Sequence, residues 1–172
     1  MLISNEFEVQ QPVDTVWEFF GDVPAVAACL PGAELTDDLG EDRYAGRVGI
    51  RMGPVKLEFA GKAEVRERDD ETKRMVIDAA GSDAKNRGSA EMTVTARLSP
   101  TSGGGTKVAV DQDLQISGAA AQYGRGMITD VTSVLMKQFA TNMQQRIDAV
   151  ARGESTAHLD GGRASGFAIG LR

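Results

Sequence analysis

The chain has 172 residues, 41% apolar and 26% charged, with a formal net charge of −6. That length suits one domain with a sizeable core, the balance excludes a disordered chain, and the acidity argues against nucleic acid as a partner. One cysteine, Cys29, and one histidine, His158, exclude an internal disulfide and a zinc site built from several Cys and His ligands.

The N-terminal Met1-Leu2-Ile3-Ser4-Asn5-Glu6 lacks the basic and apolar regions of a signal peptide, so none is expected. Leu2 to Gln10 reads as a strand, with Ile3, Asn5, Phe7 and Val9 on one face and Ser4, Glu6 and Glu8 on the other. Pro12 suits the first turn of a helix on which Val13, Val16, Trp17 and Phe20 share a side, and Gly21-Asp22 ends it. A second short helix is predicted from Val23 to Leu30, stopped by Pro31-Gly32. The apolar run that contains its Val26–Leu30 stretch is far below the roughly 18 residues of a membrane span.

From Ala33 to Ser117 the period becomes two. Tyr44, Gly46, Val48, Ile50 and Met52 alternate with charged or small residues up to the Gly53-Pro54 turn. Val55, Leu57, Phe59, Gly61, Ala63 and Val65 follow, then a charged turn. Met75, Ile77 and Ala79 start the next strand; Ala90, Met92, Val94, Ala96 and Leu98 mark another. After Gly103-Gly104-Gly105 come Val108, Val110, Gln112, Leu114 and Ile116. Strands with one apolar and one polar face are those of an antiparallel sheet buried on one side.

Ser117-Gly118 is expected to open a long helix, with Met127, Val131, Val134, Leu135, Met143, Ile147 and Val150 at three- and four-residue steps and Arg152-Gly153 as its end. The layout implies an α+β fold, a curved antiparallel sheet wrapped around a long C-terminal helix, with two short helices after the first strand. Residues 1–153 form the expected domain. Residues 154–172 carry glycines at 161, 162, 166 and 170 and read as a flexible tail of roughly 25 Å span, its tip marked by Phe167, Ile169 and Leu171.

No catalytic or metal-binding constellation emerges. Asp37-Asp38, Glu41-Asp42 and Asp69-Asp70-Glu71 fall at predicted turns, and Asp111 and Asp113 on an outward strand face. Gly103-Gly104-Gly105-Thr106-Lys107 has its Lys after the Thr and a strand behind it, so it is a hairpin turn and not a phosphate loop. Cys29 stands among alanines as a small buried hydrophobe, and His158 lies in the tail without a partner. Gly46 and Gly61 instead remove bulk from the apolar face, and Gly124 and Gly126 from the start of the helix, which is what a ligand cavity requires.

Pro31-Gly32-Ala33-Glu34-Leu35, Tyr44-x-Gly46-x-Val48, Met52-Gly53-Pro54-Val55, Phe59-x-Gly61 and Gly118-x-x-x-Gln122-x-Gly124-Arg125 occur in this order, with Val16-Trp17 after Pro12. Together they resemble the G-subunit family of carbon monoxide dehydrogenase, over about residues 2 to 150. The resemblance implies a helix-grip, START-like fold around an apolar cavity. It further implies a non-catalytic subunit that binds an isoprenoid quinone without a covalent cofactor. Such a subunit docks to a molybdenum hydroxylase and links it to the inner face of the cytoplasmic membrane. Longer members end in a membrane-contacting segment; here three apolar residues, at about 1.5–3 kcal/mol each, give marginal membrane binding.

On this reading an apolar small molecule sits between the last helix and the sheet. The expected lining is Val48, Ile50, Phe59, Met75 and Met92, with Val94, Met127, Val131 and Leu135. Partner docking falls to the turns Pro31-Gly32 and Gly53-Pro54 and to Phe167, Ile169 and Leu171. Two alternatives are an assembly subunit with a filled cavity and a small cavity enzyme. The enzyme would need an inward ionisable group, and Tyr44 and Tyr123 are the only tyrosines, while Asp78 is placed on the outer face.

Overall fold

The computed structural model of the protein describes residues 1–153; the expected tail, with His158 and the apolar tip, lies outside the described residues. Strand β1 (Leu2–Val9) leads through helices α1 (Val13–Phe20) and α2 (Val23–Ala28) to six further strands. These are β2 (Ala33–Gly40), β3 (Arg43–Met52), β4 (Val55–Asp69), β5 (Arg74–Asp83), β6 (Ser89–Pro100) and β7 (Thr106–Ser117). They form one antiparallel sheet in the order β1-β7-β6-β5-β4-β3-β2, as consecutive hairpins plus the return of β7 to β1.

The inward faces expected from alternation hold on six strands, and one strand escapes the pattern. β2 is largely exposed and has register shifts against β3, so it shows no clean alternation. Asp37 and Asp38, expected in a turn, stand on this edge strand, while Glu41 and Asp42 do make the turn, both with positive φ. The expected long helix also starts later. Gly118–Tyr123 is a 3-10 segment, and α3 runs Gly124–Ala151, the break lying at Gly124 with φ +82°.

The concave face carries two apolar clusters under the single helix α3. In the first, Val9, Val16, Phe20, Cys29, Leu98, Val108, Met143 and Ile147 are all buried, joining α1 and the C-terminal half of α3 to the sheet. Phe7 and Phe139 meet edge to face at 6.0 Å across the same junction. Polar contacts lock it. Gln144 accepts from the Gln10 amide at 2.8 Å, Asp148 from Gln11 Nε2 at 2.8 Å, and Asn142 Nδ2 donates to the Cys29 carbonyl at 2.9 Å. The second cluster, around Ile3, Met52, Leu57, Phe59 and Ile128, lies under the N-terminal half of α3.

That half is held more lightly. Ile128 is the one buried residue of α3 before Met143, whereas Met127 and Val134 are 39% and 55% exposed. Beneath it the sheet bends sharply. Gly46, Gly61 and Gly81 are direct neighbours across β3, β4 and β5, and Ala90 of β6 continues the row. A Cβ on Gly61 would sit 1.9 Å from the Ala80 carbonyl oxygen, and one on Gly46 2.7 Å from that of Glu34. The row is therefore a crease in which Gly46 and Gly61 leave no room for a side chain.

A buried carboxylate fixes one rim of the bend. Asp83, at the end of β5, accepts from the Glu58, Lys85 and Arg87 amides and from the Arg87 guanidinium, with Nε at 2.8 Å. Arg87 also donates to the Lys56 carbonyl. The guanidinium and these amides hold the Asp83 carboxyl far below the usual carboxylate range, against the opposing effect of burial.

Candidate functional site

Between the crease and the N-terminal half of α3 lies a cavity of about 250 Å³. Its floor is the glycine row and the next row of inward residues, Tyr44, Ala63, Ala79, Met92 and Leu114, which are successive partners across β3 to β7. Its roof is Ile128, Val131, Thr132 and Leu135 of α3. Small residues form the middle of the floor and large ones its margins, so the space is flat and elongated across the strands. Three inter-strand steps, at ~4.8 Å each, make the crease about 14 Å long.

The walls are almost wholly apolar, and of the ionisable residues lining them only Tyr44 points inward. Arg47 and Lys62 alternate with the inward Gly46, Val48, Gly61 and Ala63, so their side chains stand exposed on the outer face of the sheet, where Arg47 Nε pairs with Glu34 Oε1 at 2.8 Å. Tyr44 ends the floor row on β3. Burial, and then the charges of Asp38 and Asp42, raise its hydroxyl above the ordinary tyrosine value, which keeps it a protonated donor and not a base. Asp78 is bound on the outer face by Arg66 at 3.2 Å and Thr93 at 2.9 Å. Asp111, also outward, is lowered by the Ser4 hydroxyl and then by Arg97. Among the described residues no three His, Cys, Asp or Glu side chains come together as a metal site.

Six of the nine expected lining residues border this cavity: Val48, Ile50, Phe59, Met92, Val131 and Leu135. The other three do not. Met75 and Val94 face inward but belong to the packed cluster beneath the C-terminal half of α3, and Met127 points largely to solvent. What decides between the two groups is where the helix closes onto the sheet, which strand periodicity does not encode. Sequence reasoning missed Gly81, Ala63, Ala79 and Ala90 as floor residues. Their signal was present as small residues at inward positions of three adjacent strands.

The two expected docking turns each lie against the N-terminal half of α3. Pro31 and Gly32 border a second groove with Ile50, Val131 and Val134. Gly32 has φ +82°, and a Cβ there would meet the Gly49 carbonyl oxygen at 2.5 Å, so this turn requires glycine. At Gly53-Pro54, the methyl of Met127 comes within 3.9 Å of the position a Cβ on Gly53 would take. The turns thus flank the exposed apolar strip of α3. Among the described residues no helix is long and apolar enough to cross a membrane.

Residues 6–148 match the family model of the carbon monoxide dehydrogenase G-subunit (CoxG). Comparison with curated protein sequences returns no match. Among solved structures, a conserved protein from Geobacillus kaustophilus is similar with a TM-score of 0.76 at 21% identity, over 86% of this chain and 95% of that one. The ZhuI aromatase/cyclase from Streptomyces sp. R1128 superposes with a TM-score of 0.63 at 13% identity, over 91% and 98%. A START superfamily protein from Mycobacterium smegmatis gives 0.59 at 12% identity, over 87% and 98%. At these identities the likeness concerns the fold, which is START-like.

Proposed function

This chain belongs to the CoxG family, the G-subunit family of carbon monoxide dehydrogenase, and we propose that it is a non-catalytic carrier of a lipophilic molecule, of the isoprenoid quinone class, for a molybdenum hydroxylase of the carbon monoxide dehydrogenase type. The observation that carries this reading is the cavity of about 250 Å³, bounded by the Gly46-Gly61-Gly81 crease and by apolar side chains of α3. A pocket lined in this way holds a molecule by burying apolar surface and discriminates weakly between similar chains.

Size refines the proposal. An engineered apolar cavity of about 150 Å³ accommodates benzene, so this one holds a ring system with a short stem. A longer polyprenyl chain would extend out of the cavity past Tyr44, at the β3 end of the floor. Organic extraction of purified protein followed by mass spectrometry tests the assignment. A co-purifying quinone supports it; absence of any lipid, together with no binding of added short-chain quinone, overturns it.

Delivery requires a docking surface. Pro31-Gly32, Gly53-Pro54 and the apolar strip of α3 between them would face the hydroxylase, while Phe167, Ile169 and Leu171 of the tail would contact the partner or the cytoplasmic membrane. Pull-down of the hydroxylase should succeed with the wild-type chain and weaken when these turns are altered. Cavity chemistry of the cyclase kind is the lesser reading, because Tyr44, the inward ionisable residue of the lining, is held protonated and Glu34, Arg47 and Lys62 face outward.

A further inference from the structure

The inward side chains that line the cavity are apolar but for two hydroxyls, that of Thr132 in the roof and that of Tyr44 in the floor. Thr132 has no proton to offer a ligand. Its Oγ1 donates to the Ile128 carbonyl at 2.8 Å, one turn back along the same helix. The Tyr44 hydroxyl makes no hydrogen bond among the described residues. An otherwise apolar lining thus holds one O–H without an acceptor.

Register places that hydroxyl at one end of the cavity. Tyr44 is the β3 member of the floor row that continues through Ala63, Ala79, Met92 and Leu114. Burial first, then the carboxylates of Asp38 and Asp42, and last that of Asp22, raise its ionisation above the ordinary tyrosine value. Asp22 is the N-cap of α2, which packs on the concave side of the sheet through Val23 and Val26. A phenol influenced by Asp22 points under the sheet, as its inward register position requires. Its proton is retained throughout the neutral pH range, so the group is a standing donor.

We propose that Tyr44 is a specificity-determining residue of the cavity, its hydroxyl donating a hydrogen bond to a carbonyl oxygen of the bound molecule. The inference rests on the carrier reading and adds which atom of the ligand is recognised. An apolar wall discriminates weakly between similar rings and chains, whereas one fixed donor favours an acceptor at a set position. In an isoprenoid quinone the chain is carried by the ring carbon next to a carbonyl. A ring seated over the crease with its chain leaving past Tyr44 brings that carbonyl to the end of the floor where the hydroxyl stands. The same contact sets the direction of the ring, chain outward.

The test uses 2-methyl-1,4-naphthoquinone and 2-methylnaphthalene, one skeleton with and without carbonyls, titrated into wild-type protein and into Tyr44→Phe. Phenylalanine keeps the aromatic ring and removes only the hydroxyl, so the free variant should melt at the wild-type temperature. The quinone should bind Tyr44→Phe about fivefold more weakly than wild type, and the hydrocarbon should bind both within about twofold. Each compound is compared with itself, so differences in solubility between the two cancel. A quinone affinity that the substitution leaves unchanged overturns the Tyr44 assignment and leaves the carrier reading standing. An equal loss for both compounds, or binding of the hydrocarbon alone, does the same. Binding of neither compound to the wild type removes both readings.

Discussion

One helix covers two differently built halves of the same sheet. Under the C-terminal half of α3 the inward residues are large, and Val9, Val108, Met143 and Ile147 are almost wholly buried. Under the N-terminal half the equivalent positions are Gly46, Gly61, Gly81, Ala63, Ala79 and Ala90, and a cavity replaces the packing. The first half supplies the burial that folds the domain, and the polar contacts of Gln144, Asp148 and Asn142 fix the helix there. The second half is then free to remain hollow, because the helix above it is positioned from its far end. Stability and binding are separated along a single element.

The largest expected effect lies in the packed half. Met143→Ala should cost about 2–5 kcal/mol by chemical denaturation, whereas Met92→Ala, whose side chain already borders empty space, should cost about 1 kcal/mol. Equal costs would mean that the two halves are packed alike. Next is the crease. Gly61→Ala forces a Cβ against the Ala80 carbonyl oxygen and should lose about 1–3 kcal/mol, more than Gly81→Ala, whose nearest contact is 3.0 Å. A neutral Gly61→Ala would show that the row only makes space.

Asp83→Asn should lower the melting temperature at neutral pH, since it removes the charge that the Arg87 guanidinium and three amides surround. The folded carboxyl is held well below its unfolded value of about 3.9, so the stability it contributes is present above that value and lost as pH falls through the folded one. The gap between wild type and variant should therefore stay constant from pH 7 to about 5 and narrow only in strong acid. A gap already closing at pH 6 would assign the effect to another group. The smallest stability effect belongs to deletion of Ala157–Arg172, which should leave the melting temperature nearly unchanged and weaken association with the hydroxylase or with liposomes; undiminished association would remove the docking role of the tail.

Much of this contrast is legible in the sequence, and where it is not the reason is physical. Alternation identifies the inward faces of six strands, because each has one side in water, and it fails for β2, an edge strand with most of both sides exposed. The helix is visible through its three- and four-residue steps, yet its first six residues form a 3-10 segment that ends at the positive φ of Gly124. Gly46 and Gly61 point to missing bulk, but their direct pairing with each other and with Gly81 depends on register across hairpins, which local composition does not specify. The same holds for Met75 and Val94 against Leu114 and Ile116. All four face inward, and only the line along which α3 crosses the coiled sheet separates core from cavity wall. Tyr44, by contrast, is visible in the amino-acid sequence itself as the hydroxyl-bearing member of an apolar row.

That the hollow half holds an apolar ligand is tested most directly by heat denaturation with added 2-methyl-1,4-naphthoquinone. A ligand that binds only the folded chain stabilises it by about 2.7 kcal/mol at a hundred times its dissociation constant, or roughly 5–10 °C for a domain of this size. The wild type should show this concentration-dependent rise, and a variant with the floor filled, Ala79→Leu with Ala90→Leu, should show none. A wild type that does not respond, or a filled variant that responds as strongly, would contradict the account.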